Sequence, residues 1–169
     1  PSRFDWAAGH PGATLAAMSL EATMNYRRID DRVTSSGAVP LEVLDALKAD
    51  GYEVVINLMP DYSDWAVPGE ADSVTGQGLG YVYLPVDFTA PTTADLDAFV
   101  AAMDDSVGKV VHVHCAANYR VSAFYALYAQ RKGIWTAEQA AAHIEDVWGT
   151  DDYPVWRAFV ADEQSRLAG

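Results

Sequence analysis

Val110-Val111-His112-Val113-His114-Cys115-Ala116-Ala117-Asn118-Tyr119-Arg120-Val121-Ser122-Ala123-Phe124 runs from a β-branched stretch into a helical one across the chain's single cysteine. Lys109 to His114 reads as a buried strand, because valine alternates with residues that suit a pleated surface. Ser122 to Arg131 reads as a helix, within a helical pattern spanning about 121–132. Cys115 therefore opens a loop of backbone N–H groups at a helix N-terminus, a place that attracts anions. In such a place a thiol pKa falls from about 8.5 into the range of roughly 3.5–7.5, so the thiolate exists at neutral pH.

Outward from this stretch, strands alternate with helices. Residues 26–34 read as a short polar strand ended by the turn formers Ser35-Ser36-Gly37. Pro40 suits the first turn of a helix reaching about Asp50, with Leu41, Leu44 and Leu47 on one face. Gly51 closes it, and Glu53 to Leu58 is a strong candidate for a central strand. Residues 60–80, rich in Gly and Pro, read as a long loop whose size suggests a functional rim. Tyr81 to Leu84 forms the next strand. Thr93 or Asp95 caps a helix over about 94–105, with Leu96, Phe99, Val100 and Met103 inward. Helical patterns over about 136–148 and 154–167 complete the chain, and Gly133 and Gly149 act as stops. Residues 1–24 read as an N-terminal arm. The expected fold is α/β, a three-layer sandwich in which a mostly parallel sheet of about four to five strands is flanked by helices. Cys115 then lies at the carboxyl end of a central strand, where open α/β sheets place ligands.

The composition limits the partners. Of 169 residues, 24 are acidic and 11 basic, a net charge of -13 that repels nucleic acid and anionic membrane surfaces. No apolar run reaches the length of about 20 residues that a membrane span needs, so a cytoplasmic location is expected, or a periplasmic one if a leader was removed before Pro1. A lone cysteine excludes an intramolecular disulfide framework, and His10, His112, His114 and His143 lack the spacing of a zinc site. No metal or cofactor is expected.

A single cysteine is most often a small apolar filler. Here its neighbours favour a nucleophile: His114, the small Ala116-Ala117 pair, Arg120 and the helix-start Ser122. One cysteine, one anion cradle and one arginine suggest phosphate ester chemistry. The run resembles the loop of cysteine-dependent phosphatases of the dual-specificity and tyrosine type, with its His-Cys, five variable residues, then Arg and Ser or Thr. Asn25-Tyr26-Arg27, the segment Gly51 to Leu58 and Leu84-Pro85-Val86-Asp87 occur in matching order. From about residue 25 to 160 the chain resembles a small bacterial branch of that fold, the beta-lactamase-hydrolase-like phosphatases. Residues 25–169 are accordingly expected to form a single phosphatase-like domain.

The resemblance implies attack by Cys115 on phosphorus and a phosphocysteine that water hydrolyses. The substrate it implies is a phosphorylated small molecule or a phosphoprotein. Ser122 matches the hydroxyl residue that eases departure of the thiolate, and His114 the histidine that orders the loop and supports the low thiol pKa. Asp87, 28 residues before Cys115, matches the general acid. Ala116, Ala117, Asn118, Tyr119 and Val121 complete the expected anion-binding loop. Asp95 and Asp97 read as a solvated helix face, Arg27, Arg28 and Arg32 as surface ion pairing, and Trp148, Tyr153, Trp156 and Phe159 as staples for the last helix. His112 reads as a core histidine, and Tyr62, Trp65 and Tyr119 as walls for an aromatic ester or simple rim packing.

One departure stands out. Arg120 follows Cys115 by five residues, where the family arginine follows by six, and Val121 holds the usual arginine position. At a helix start one residue turns a side chain by about 100°. The arginine is either aimed away from the anion, or the loop is reshaped so that the guanidinium still reaches; Asn118 at the family's glycine, tolerant of left-handed backbone, favours reshaping. Two alternatives follow: a weak or inactive anion-binding relative, and sulfur transfer in a rhodanese-like manner.

Overall fold

The computed structural model describes residues 19–168. The arm expected over residues 1–24 lies largely outside them; its described end holds a short 3-10 turn, Leu20–Ala22, with Leu20 buried. Among the described residues, five strands form one sheet: β1 (Arg27–Arg28), β2 (Val33–Ser36), β3 (Val54–Asn57), β4 (Gly80–Tyr83) and β5 (Val111–His114), in the order β1-β2-β5-β3-β4. Only β1 is antiparallel to its neighbour. Every residue of β2, β3 and β5 is buried, as befits parallel strands covered on both faces.

Helices α1 (Leu41–Leu44), α2 (Glu70–Gly76), α3 (Thr93–Asp105), α4 (Tyr119–Arg131), α5 (Ala137–Val147) and α6 (Pro154–Ala168) flank the sheet. Alternation along the strands divides the core. Val54, Ile56, Val111 and Val113 face a layer containing Leu96, Phe99, Phe124 and Trp156. Val55 faces a smaller cluster with Leu20, Val43, Leu44, Leu47, Val74 and Leu79. Helix α4 is buried continuously from Arg120 to Ala129, which makes it the central helix of the thicker layer. The three-layer arrangement with a mostly parallel sheet agrees with the sequence reading.

Five local expectations are corrected. The strand over 26–34 is two strands, turned by Asp30, whose Oδ1 accepts the N–H groups of Arg32 and Val33 at 2.7 and 2.8 Å. Ser35 and Ser36, read as turn formers, are buried members of β2, because their hydroxyls find partners in the core. The helix over 40–50 is one α-turn followed by tighter turns with i→i+3 bonds, such as Leu47 N–H to Leu44 O at 3.2 Å. The loop over 60–80 contains α2. Helix α3 is capped one residue earlier than expected, by Thr92, in a reciprocal box with Asp95.

Candidate active site

Strand β5 ends at His114, and Cys115 begins the loop into α4, with its N–H on the Ser36 carbonyl at 3.3 Å. The thiol is buried at the base of a cleft of about 290 Å³. Ala116, Ala117, Tyr119 and Arg120 line it from the loop, and Ser63, Trp65, Phe88 and Tyr153 wall it from outside. Two larger hollows, of about 540 and 500 Å³, hold no cysteine; the first shares Ser63 with the cleft. The thiol, not the volume, makes the smaller cleft the candidate site.

The loop is held from behind by the β1–β2 end of the sheet. The Ala116 carbonyl accepts from Ala38 N–H at 2.9 Å, and the Ala117 carbonyl from Asn25 Nδ2 at 2.9 Å. In a trans peptide the N–H points opposite to the preceding C=O, so the amide of Ala117 is turned to the other side of the loop, away from the Ala38 brace. Asn118 takes left-handed backbone at φ 68°, and its Nδ2 donates to Asn25 O at 2.8 Å and Ser35 Oγ at 3.0 Å. Gly37 lies so close that a Cβ there would meet Ala116 O at 2.5 Å.

Arg120 faces this cleft. Its Nη1 donates to Val86 O at 2.9 Å, its guanidinium lies 5.6 Å from the Phe88 ring centre, and its Nε is buried without a protein partner. Val121, at the usual arginine position, packs in the core. Phe88 is in turn fixed by Trp156, whose Nε1 donates to Phe88 O at 2.7 Å, and by ring contacts with Tyr153 and Trp148.

The remaining expected residues are placed differently. Asp87 is exposed and does not line the cleft; its Oδ1 accepts from Thr89 Oγ1 at 2.8 Å and Thr89 N–H at 2.9 Å. Those bonds, with Arg120 nearby, hold its carboxyl below the usual range. Ser122 is buried with its hydroxyl on Tyr119 O at 2.9 Å. His114 turns away from the cleft to Glu70, at 2.5 Å from Nε2 to Oε2, while its Nδ1 lies 3.3 Å from Cys115 O. Glu70 escaped the sequence reading, since a glutamate in a Gly- and Pro-rich stretch carries no pattern that names a partner. Phe88 and Tyr153 were also missed as walls, because aromatic residues read equally well as packing.

His112 is a core residue. Ser36 Oγ donates to Gly37 O at 2.8 Å and so accepts from His112 Nε2, which leaves Nδ1 to accept from Thr34 Oγ1 at 2.8 Å. Burial, with a contribution from His114, holds this imidazole neutral well below its ordinary pKa. Arg27, Arg28 and Arg157 pair with Asp146, Asp31 and Asp151 on the surface. Among the described residues, no group of three or more His, Cys, Asp or Glu is placed to hold a metal ion, and no helix is long and apolar enough to cross a membrane.

No family model matches the chain. A beta-lactamase hydrolase-like protein of Agrobacterium fabrum is 31% identical over 107 residues, covering 62% of this chain and 25% of that protein. A second, from Xylella fastidiosa, is 34% identical over 102 residues, 59% of this chain and 23% of its own length. The chain thus spans about a quarter of these curated relatives. Among solved structures, Tk-PTP in its active form superposes with a TM-score of 0.71 at 22% identity, covering 84% of this chain and 97% of that one, which shows a shared fold. A candidate phosphatase of the DUF442 group from Shewanella putrefaciens CN-32 superposes with a TM-score of 0.78 at 40% identity, over 88% of this chain and 96% of that chain. With that identity over nearly the whole of the Shewanella protein, the chain belongs to the DUF442 phosphatase-like family, on the fold of the cysteine phosphatases.

Proposed function

We propose that the protein hydrolyses phosphate monoesters with Cys115 as nucleophile. The observation that carries this reading is the convergence of Cys115 and Arg120 on one cleft at the junction of β5 and α4. The Cys115 thiolate attacks phosphorus, an S–P bond forms, and the ester P–O bond breaks with its electron pair leaving on oxygen. Water then attacks the phosphocysteine, releasing phosphate and regenerating the thiolate. The loop amides and the free Nε of Arg120 are the donors for the phosphoryl oxygens, as charge builds there in the transition state. Arg120 compensates for its shifted register by approaching from the side of Val86 and Phe88. Asp87 is the proton donor to the leaving oxygen, after movement of the 86–89 turn that frees it from Thr89.

A second reading rests on the same turn. With Asp87 held by Thr89 and Nη1 of Arg120 held by Val86 O, the resting site is better prepared to bind an anion than to turn it over. Phosphate release from a generic aryl phosphate separates the two. Release that Cys115→Ser abolishes supports hydrolysis; vanadate binding with no release supports an anion-binding protein. Thiosulfate turnover with a persulfide on Cys115 would replace both by sulfur transfer.

A further inference from the structure

We propose that Glu70 is a positioning residue that keeps His114 as an imidazolium beside Cys115, and so sets the pH at which the thiolate forms. The proposal rests on Cys115 being the nucleophile, but it concerns a residue outside the cleft. His114 is the last residue of β5 and is fully buried. Its Nδ1 faces the Cys115 carbonyl, which can only accept, so this nitrogen carries a hydrogen. Its Nε2 faces the Glu70 carboxylate at 2.5 Å. A second hydrogen held on Nε2 rather than on Glu70 makes the ring an imidazolium with a donor at each end.

The surroundings favour that state. Glu70 is itself only 4% exposed, and a carboxylate withdrawn from water is costly without a cationic partner. His114 is the partner the ion-pair geometry gives it. The other groups facing the pair supply no cation: Asp61 and Asp72 line the same hollow as Glu70, and Tyr81 there is neutral, its pKa pushed up to about 12, chiefly by burial. From β5 itself, His112 stacks on His114 at 6.3 Å and is kept neutral by burial. Asn57, opposite His114 in β3, spends its amide on Tyr81 and Met59.

The arrangement is electrically directional. Imidazolium and carboxylate cancel at long range, but the positive member sits on the residue bonded to Cys115 and the negative member lies beyond the ring. The nearer charge dominates at the thiol. Glu70 thereby acts on the cysteine through His114, without touching substrate.

The test is a titration of the ultraviolet thiolate absorbance, which a chain with one cysteine reports without ambiguity once the Cys115→Ser signal is subtracted. In Glu70→Gln the midpoint should rise, lowering the thiolate fraction at neutral pH by roughly tenfold or more. His114→Asn should do the same, and the double variant should add nothing further. An unchanged or lowered midpoint in a folded Glu70→Gln would overturn the proposal, since it would make Glu70 a structural or simply negative neighbour. If the variants fail to fold, ring-nitrogen NMR of the intact protein decides: both His114 nitrogens protonated at neutral pH is the expected result, and a bare Nε2 refutes it. Neither measurement uses substrate. Failure of the hydrolase reading would appear separately, as absent phosphate release from a protein whose thiolate titrates as described.

Discussion

An arginine moved one position along a helix start must reach an anion from a different direction, and in the proposed reaction Arg120 would do so while leaning on Val86 and Phe88. That support leaves little freedom. Lysine carries the charge but lacks the planar fork that serves a carbonyl and an anion at once, so Arg120→Lys should lower kcat/KM for an aryl phosphate by roughly 100-fold, in line with losing one oxyanion donor. Steady-state assay of phosphate release checks this. Asp87 offers a second test. Its carboxyl is held low first by the Thr89 hydroxyl, then by the Thr89 amide, and a general acid works only while protonated. Thr89→Ala removes the larger influence, so the Asp87 pKa rises and the basic limb of the pH–rate profile should move to higher pH; a limb that stays put would exclude Asp87 as the acid. The sequence made Cys115, Arg120 and the left-handed Asn118 legible, because each residue type is tied to a local backbone requirement. It left Glu70 and the Thr89 hold on Asp87 invisible, since nothing in a residue's identity records which of several donors its side chain will meet.

At the scale of elements, the loop after β5 is shaped by β2 as much as by its own sequence. Ser35-Ser36-Gly37 reads as a turn by composition, yet it extends a central strand. His112 and Asn118 satisfy the two buried hydroxyls, and the bare α-carbon of Gly37 lets the strand run against Ala116. Gly37→Ala would place a methyl against backbone that cannot yield without moving the loop. Both the affinity for vanadate and the thermal stability should fall together, the latter by about 1–3 kcal/mol as in other overpacked positions; calorimetry with and without vanadate measures both. The alternation of strands and helices, by contrast, was readable, because valine-rich runs and helical spacing report burial directly. Helix α2 was not, since its seven residues lie between glycines and expose most of their length.

For the molecule as a whole, the buried His112 and the half-buried His143 tie stability to pH. His112 and His143 both have pKa values lowered by burial, the former well below its ordinary value. Below about pH 6.5 the unfolded chain therefore binds protons that the folded chain refuses. Stability is fully present above that pH and is lost as pH falls toward the folded values, by up to about 1.4 kcal/mol per pH unit for each site. Denaturant midpoints between pH 7 and 5 should fall accordingly, and His112→Asn should flatten the slope. The same whole-molecule view gives a meaning to the two non-glycine residues with positive φ among the described residues, Asn25 at 53° and Asn118 at 68°, which clasp each other and Ala117 across more than ninety residues of chain. Deamidation keeps the shape of either side chain but exchanges its donor for an oxygen, so each bond of the clasp becomes two acceptors face to face. Chemical ageing at one amide would thus unfasten the loop after β5 from the sheet while leaving every residue that lines the cleft intact.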